Sequence, residues 1–154
     1  MPVKKLKEFL DSNNVKYMVC IHSTAYTAQE IAATAHIPGK DLAKTVMVKM
    51  DGKMAMAVLT ASHRVNLDLL KKLGKAKTAE LATEEEFNIY FPDCEVGAMP
   101  PFGNLYDMEV YTDEILSEDK EIAFNAGSHR ELIKLSFEDF KKIAKPKMGK
   151  FAMI

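Results

Sequence analysis

The chain has 154 residues, of which 47% are hydrophobic and 28% are charged, and its formal net charge is −1. A chain of this length typically forms one domain with a large buried core, so we expect a single domain over residues 1–154. The composition excludes collagen-like and disordered classes, and no apolar stretch is long enough for a membrane-spanning helix. The N-terminus has no secretory signal pattern, and we therefore expect a cytoplasmic protein.

The N-terminal part of the chain predicts a helix, a strand and a second helix. Over residues 3–13 the apolar side chains recur at helical spacing, and residues 15–22 have the composition of a strand. A capping box, in which a threonine hydroxyl and a glutamate carboxylate bond early helix amides, predicts a helix over residues 27–36.

The clearest local pattern predicts a β-hairpin in the middle of the chain. Two runs rich in apolar residues, 43–50 and 53–61, are separated by Asp51-Gly52. An Asp-Gly pair favours the tight turn that connects two antiparallel strands, because both residues adopt positive φ angles readily. We therefore expect two long paired strands.

The second half of the chain predicts shorter elements of both kinds. These are helices over about residues 65–73, 83–90 and 136–146, and strands over about residues 107–112, 120–125 and 131–135. Hairpins mixed with helices predict an α+β domain with a mostly antiparallel sheet.

Several kinds of chemistry lack their sequence patterns. The two cysteines are far apart, the four histidines show no metal-ligand spacing, and the glycine-rich motifs that bind nucleotide phosphates do not occur. We therefore expect no disulfide bond, no metal site and no cofactor.

Three features remain that are unusual for core or plain surface. Lys44 opens an apolar strand, where a charge must reach solvent or an anionic partner. The segment 97–103 is a loop bracketed by glycines and stiffened by Pro100 and Pro101, so that consecutive amides can point outward at an oxygen anion. The loop 125–129 contains small residues that let a ligand approach the backbone. Taken singly, such features are more often an edge lysine, a rigid turn and a hairpin with an exposed histidine.

Taken together and in this order, the three features resemble the YbaK/ProX family. This family comprises free-standing aminoacyl-tRNA editing domains related to the domain inserted in bacterial prolyl-tRNA synthetases. The resemblance extends over nearly the whole chain, through segments 22–27, 42–46, 97–103 and 125–127. It implies an α+β fold in which a mostly antiparallel, barrel-like sheet is surrounded by helices.

The resemblance also implies hydrolysis of the ester that joins an incorrect amino acid to the 3′-terminal ribose of a tRNA. Lys44 would hold the substrate or the terminal phosphate and ribose, and the amides of Gly97, Ala98 and Met99 would face the aminoacyl carbonyl. The neighbouring ribose hydroxyl would assist as an internal acid or base, without a nucleophilic side chain or a metal. The substrate-binding residues implied in this way are His22, Tyr26, Thr45, Pro101, Phe102, Asn125, Gly127, Ser128 and His129.

The implied partner is the 3′ acceptor end of an aminoacyl-tRNA carrying a small amino acid, such as alanine or cysteine on tRNA of proline identity. Prolyl-tRNA synthetase is a further candidate partner, and we expect neither DNA nor a membrane. Two alternatives stay open: a non-catalytic domain of the same fold that binds tRNA ends or a small metabolite, and a structural protein with an exposed apolar patch.

The lysine distribution suggests where RNA would bind. Lysines cluster at residues 71–77 and 141–150, and acids concentrate between Asp107 and Glu121. Either cluster can contact phosphates, although such runs are also typical of solvated helix faces. We expect the acidic stretch to lie away from the site.

Overall fold

The structure of the protein is a computed structural model that describes residues 4–21, 39–95 and 97–153. The helix predicted over residues 27–36 lies outside these ranges, as do the predicted site residues His22 and Tyr26.

Within the described ranges, all four predicted helices are present. They are α1 (Lys4–Ser12), α2 (Leu67–Leu73), α3 (Glu84–Asn88) and α4 (Phe137–Ala144). The helices α2, α3 and α4 begin where a side chain satisfies an early amide. Asn66 accepts from the Leu69 N–H, and Thr83 forms the predicted capping box with Glu86.

The strands belong to three sheets. They are β1 (Tyr17–Ile21), β2 (Ala43–Met50), β3 (Lys53–Thr60), β4 (Arg64–Val65), β5 (Ala79–Leu81), β6 (Glu109–Asp113), β7 (Glu121–Asn125), β8 (Glu131–Ser136), β9 (Lys147–Gly149) and β10 (Ala152–Met153). The strand orders are β5-β2-β3-β6-β9, β1-β8-β7 and β10-β4. The predicted α+β class with mostly antiparallel pairing is confirmed.

The expectation of a barrel-like sheet needs correction, because the described strands do not close on themselves. In the five-stranded sheet, β3 pairs with β6 and β6 pairs with β9 in parallel, and β5 and β9 lie at its two edges. Only the β2–β3 hairpin is joined by a tight turn, in which Asp51 and Gly52 have φ of 52° and 81°. Two positive φ angles are what the predicted turn requires.

The two faces of the five-stranded sheet carry different helices. Met47 and Val58 pack in the larger core cluster together with Phe140 of α4 and Leu10 of α1. Alternate residues of the same strands, such as Val48, pack in a second cluster with Leu70 of α2. Because successive side chains of a strand point to opposite faces, α2 and α4 lie on opposite sides of this sheet.

Candidate functional site

The segment before the two prolines forms a tight turn. The Ala98 N–H donates to the Glu95 carbonyl at 3.1 Å, and Gly97 has φ +83°. A positive φ at the third residue of a four-residue turn favours glycine. The Ala98 amide, expected to face the substrate, is therefore used within the loop. Among residues 4–21, 39–95 and 97–153, no acceptor bonds the N–H of Gly97 or Met99.

Two of the three predicted features lie against each other and are joined by three hydrogen bonds. The Glu95 N–H donates to the Gly127 carbonyl at 2.7 Å, and the Gly127 N–H donates to the Ala98 carbonyl at 2.9 Å. The His129 N–H donates to the Glu95 carboxylate oxygen Oε1 at 2.9 Å. Glu95 was not predicted as a site residue, although it precedes the glycine loop by two positions.

His129 lies directly beside Gly97. A methyl group added to Gly97 would lie 3.7 Å from the His129 Cε1 atom, with no other described heavy atom as near. The exposed Gly97 backbone therefore borders the half-buried imidazole. Ser128 has a more local role, since its hydroxyl accepts from the Arg130 N–H at 3.3 Å.

Strand register connects Lys44 with these loops. Leu42 forms a parallel bridge with Ala123, and these two residues pack in one small cluster with Leu132. Side chains two residues further along each strand point to the same face. Lys44 and Asn125 therefore extend from the same side as this cluster, and Asn125 leads directly into the loop that contacts Gly97.

Among the described residues, Lys44 has no negatively charged ion-pair partner. Burial lowers the pKa of the half-buried Lys44 ammonium. No acidic side chain in the part of the chain that the structure describes forms an ion pair with it. The neighbouring Asn125 Oδ1 atom is buried and has no hydrogen-bond partner there. A cation and an acceptor are thus both available to a polar ligand.

Some predicted substrate-binding side chains point elsewhere. Phe102 is 0% exposed, and its ring contacts those of Phe9, Phe124 and Phe140 at centroid distances of 5.7, 5.4 and 5.6 Å. This ring anchors the loop in the core and has no exposed surface for a substrate. Thr45 lies on the other face of β2 from Lys44, and it pairs with Val58 of β3.

Met99 and Pro101 are buried as well. The second half of the glycine loop therefore holds the first half in place, and the exposed part of the loop is limited to its beginning. Of the three residues predicted to act at the carbonyl through this loop, Gly97 is the one with an exposed backbone.

The acidic stretch comes close to the segment before β2 at its C-terminal end, and the expectation that it lies away from the site stays a prediction. Burial and the nearby Asp41 carboxylate raise the pKa of Asp119 to about 6, and the Lys40 ammonium opposes this shift. Asp41 precedes Lys44 by three residues and Leu42 of the parallel bridge by one. The pairing of β2 with β7 that brings Lys44 to Asn125 thus also brings the segment before β7 close to the start of β2.

The thiol of Cys94 is poorly suited to nucleophilic attack. Burial raises its pKa to about 11, and its Sγ atom lies 3.4 Å from the Tyr106 hydroxyl. A nucleophilic cysteine requires the thiolate form, which a raised pKa disfavours. Among the described residues, no three His, Cys, Asp or Glu side chains are grouped as they would be around a metal ion.

Comparison with known protein families identifies the chain at the level of its family. The family model described as "Aminoacyl-tRNA editing domain" matches residues 22–143. The chain belongs to the aminoacyl-tRNA editing domain family. The matched region includes Lys44 and both loops, so the family assignment rests on the part of the chain that forms the candidate site.

Curated relatives include bacterial proline–tRNA ligases. The enzymes of Bacillus mycoides (strain KBAB4) and of Bacillus cytotoxicus are 29% and 32% identical to this chain over 89 residues. Those 89 residues are 58% of this chain and 16% of each ligase. The chain therefore resembles one part of these much longer enzymes.

Solved structures share the fold. The crystal structure of a hypothetical protein superposes with a TM-score of 0.88 at 19% identity, and covers 97% of this chain and 100% of that chain. A candidate trans-editing enzyme for prolyl-tRNA synthetase superposes with a TM-score of 0.84 at 17% identity, over 99% of this chain and 97% of that chain.

A membrane-spanning helix would need a long apolar segment. Of the helices in the described ranges, none has the length and apolar character to cross a bilayer.

Proposed function

We propose that this chain is an aminoacyl-tRNA deacylase that acts in trans on tRNA carrying an incorrect, small amino acid. The observation that carries the proposal is the half-buried Lys44, which lacks an ion-pair partner among the described residues and lies on the same face as Asn125. Asn125 opens the loop that contacts Gly97. Membership of the editing-domain family supports the same reaction class.

In the proposed site, Lys44 binds the anionic 3′ end of the tRNA. The ammonium is partly desolvated, and an RNA phosphate would supply the negative charge that it lacks. Asn125 Oδ1 would accept a hydrogen bond from a ribose hydroxyl, because this atom is buried without a partner among the described residues.

The reaction needs no covalent intermediate. Water adds to the ester carbonyl carbon, and the N–H group of Gly97 stabilises the negative charge on the carbonyl oxygen. The carbon–oxygen bond to the ribose then breaks. The ribose oxygen takes up a proton, with the neighbouring hydroxyl as internal acid or base, and the amino acid leaves as its carboxylate.

The position of His129 beside Gly97 favours a small amino acid. The imidazole borders the exposed Gly97 backbone, so it would limit the size of a side chain held at the Gly97 amide. Alanine or cysteine on tRNA of proline identity would be suitable substrates, because the curated relatives are proline–tRNA ligases. We propose a cytoplasmic setting and prolyl-tRNA synthetase as a partner that supplies the mischarged tRNA.

The test is single-turnover deacylation of alanyl- and cysteinyl-tRNA of proline identity. We expect the wild type to release the amino acid, and Lys44→Ala and Lys44→Arg to lose most of the rate, since a planar guanidinium does not replace a compact ammonium. Lys16→Ala is the matched control, because Lys16 is exposed and lies outside the site.

Two results would contradict the proposal. Tight tRNA binding without turnover by the wild type would indicate the non-catalytic alternative. Loss of activity on adding a chelator, or in Cys94→Ala, would show that a metal or a thiol performs the chemistry and would overturn the proposed mechanism.

A further inference from the structure

We propose that α2 and the turn after it form the surface that binds the phosphate backbone of the tRNA acceptor stem. This surface, here called the α2 basic surface, consists of Lys71, Lys72, Lys75 and Lys77. The inference rests on the proposed function, because it names how the same substrate is held outside the site.

The first argument is the side of the sheet on which these lysines lie. Val46 and Val48 follow Lys44 at alternate positions of β2, so the three side chains point to the same face. Both valines pack in the cluster that contains Leu70 of α2. The α2 helix therefore covers the face from which Lys44 extends.

The second argument is distance. Val48 lies four residues after Lys44, which corresponds to about 13 Å along a strand at about 3.3 Å per residue. A nucleic-acid stem whose 3′ end reaches Lys44 can therefore pass over α2. The edge strand β9 contacts the helix directly, since an added carbon on Gly149 would lie 2.5 Å from Leu73 Cδ1.

The third argument is charge. Lys72, Lys75 and Lys77 are exposed and Lys71 is half-buried. Among the described residues, no carboxylate forms an ion pair with any of these four lysines. By contrast, Lys49 pairs with Glu80 and Glu86, and Lys147 pairs with Glu109.

The segment that forms this surface is itself rich in positive charge. Residues 67–77 contain four lysines and a single acid, Asp68, which belongs to the first turn of α2. The Asp51 carboxylate also lies close, and it accepts the backbone N–H groups of Lys77 and Thr78 at 2.8 and 2.9 Å. The surplus of positive charge within the segment attracts a phosphate backbone.

The second lysine cluster of the sequence lies on the other side of the sheet. Lys141 and Lys142 belong to α4, whose buried residues Phe140 and Ile143 pack in the larger core cluster. Lys145 caps the same helix. These three lysines provide a matched control with the same charge and a different location.

The experiment compares two triple variants, Lys71→Gln/Lys72→Gln/Lys75→Gln and Lys141→Gln/Lys142→Gln/Lys145→Gln. Each is assayed on full-length alanyl-tRNA of proline identity and on an alanylated CCA trinucleotide. Binding of the same tRNA without an amino acid is measured by anisotropy at several salt concentrations. Circular dichroism verifies that both variants are folded.

We expect the α2 variant to bind tRNA at least tenfold more weakly. Its log–log salt slope should be shallower by about 2 to 3, because each lost phosphate contact contributes about 0.9 on a duplex. Its kcat/KM on the trinucleotide should stay within twofold of the wild type. The α4 variant should match the wild type in all three measurements.

Unchanged tRNA affinity and salt slope in the α2 variant would overturn the inference, as would a larger loss in the α4 variant. A defect that appears only when prolyl-tRNA synthetase is present would assign the surface to a protein partner instead, and would also overturn it. If the wild type deacylates neither substrate, the proposed function fails, and the binding data with uncharged tRNA still decide whether the α2 basic surface holds RNA.

Discussion

The loop from Gly97 to Gly103 begins and ends with a glycine, and the two glycines serve different purposes. Gly97 is exposed and has φ +83°, and among the described residues an added methyl group would meet only His129 Cε1, at 3.7 Å. Gly103 is buried, and an added methyl group would lie 2.3 Å from the Met108 carbonyl oxygen. The exposed end at Gly97 contributes to the candidate site, whereas the buried end at Gly103 allows the loop to pack closely against the backbone of Met108. One sequence motif therefore combines a functional requirement with a structural one.

The largest expected effect comes from removing the ring that anchors the packed end. Phe102→Ala should lower the free energy of unfolding by about 3 to 5 kcal/mol, because a buried ring leaves a cavity. Urea unfolding followed by circular dichroism measures this loss. Phe102→Leu is the control, since it retains more of the buried volume and should cost clearly less. Equal stability of Phe102→Ala and the wild type would show that this end of the loop does not depend on the core.

The next effect concerns Gly103 itself. Gly103→Ala should destabilise the protein by about 3 kcal/mol, the upper part of the range for overpacking, because the added carbon overlaps a backbone oxygen that cannot rotate away. The melting temperature gives the result. Gly52→Ala is a useful reference, because no heavy atom of the described residues lies within 4 Å of the added carbon, and the strain there comes from the positive φ. If Gly103→Ala lowers the melting temperature no more than Gly52→Ala does, the expected overlap with the backbone oxygen is contradicted.

At the exposed end, the effect on stability should be smaller and the effect on activity larger. Gly97→Ala should cost about 1 to 2 kcal/mol, because an L-residue at positive φ is strained. The deacylation rate should fall about 10²- to 10³-fold, as after loss of an oxyanion donor. Gly97→Asn tests the cause, since asparagine tolerates positive φ better. If Gly97→Asn and Gly97→Ala keep wild-type turnover, the amides of this end do not act on the substrate.

Local chemistry explains which elements could be predicted from the sequence. Asp51-Gly52 forces its turn and Thr83 caps its helix through neighbouring residues, so each signal is complete within a few positions. The strands β9 and β10 had no such signal. β9 exists because it pairs in parallel with β6, and the N–H groups of Phe151 and Ala152 donate to the Asp113 carboxylate, 38 and 39 positions away.

The candidate site also depends partly on local sequence and partly on contacts between residues that are distant in sequence. The glycine loop and the loop at 125–129 were identified as unusual, but their contact depends on Glu95, whose carboxylate bonds His129 across 34 positions. Phe102 was assigned to the substrate because it belongs to the glycine loop that resembles the family's motif. Its burial depends on Phe9, Phe124 and Phe140, which are distant in sequence. Motif position therefore does not indicate which residues of a loop reach the ligand.

Measurements of stability at several pH values separate the destabilisation caused by substitutions in this loop from effects elsewhere in the molecule. Phe102 and Gly103 carry no titratable side chain, so their destabilisation should be similar at pH 4.5 and pH 7. Asp119 should behave differently, because its pKa is raised to about 6 from 3.8. The folded state holds this proton more tightly than the unfolded state, so the contribution of Asp119 to stability falls as the pH rises through this interval.

The smallest expected effect is therefore that of Asp119→Asn. At pH 7 the variant should be more stable than the wild type by less than about 1 kcal/mol, because the half-buried carboxylate still contacts solvent, which screens its repulsion. The difference should shrink as the pH falls from 7 toward 4, because the folded state takes up the proton below about pH 6. Melting temperatures between pH 4 and pH 8 measure it, with Glu114→Gln, an exposed acid of the same stretch, as the control. A difference that is constant with pH would show that the repulsion from Asp41 is absent, and that the start of β2 next to Lys44 is not under electrostatic strain.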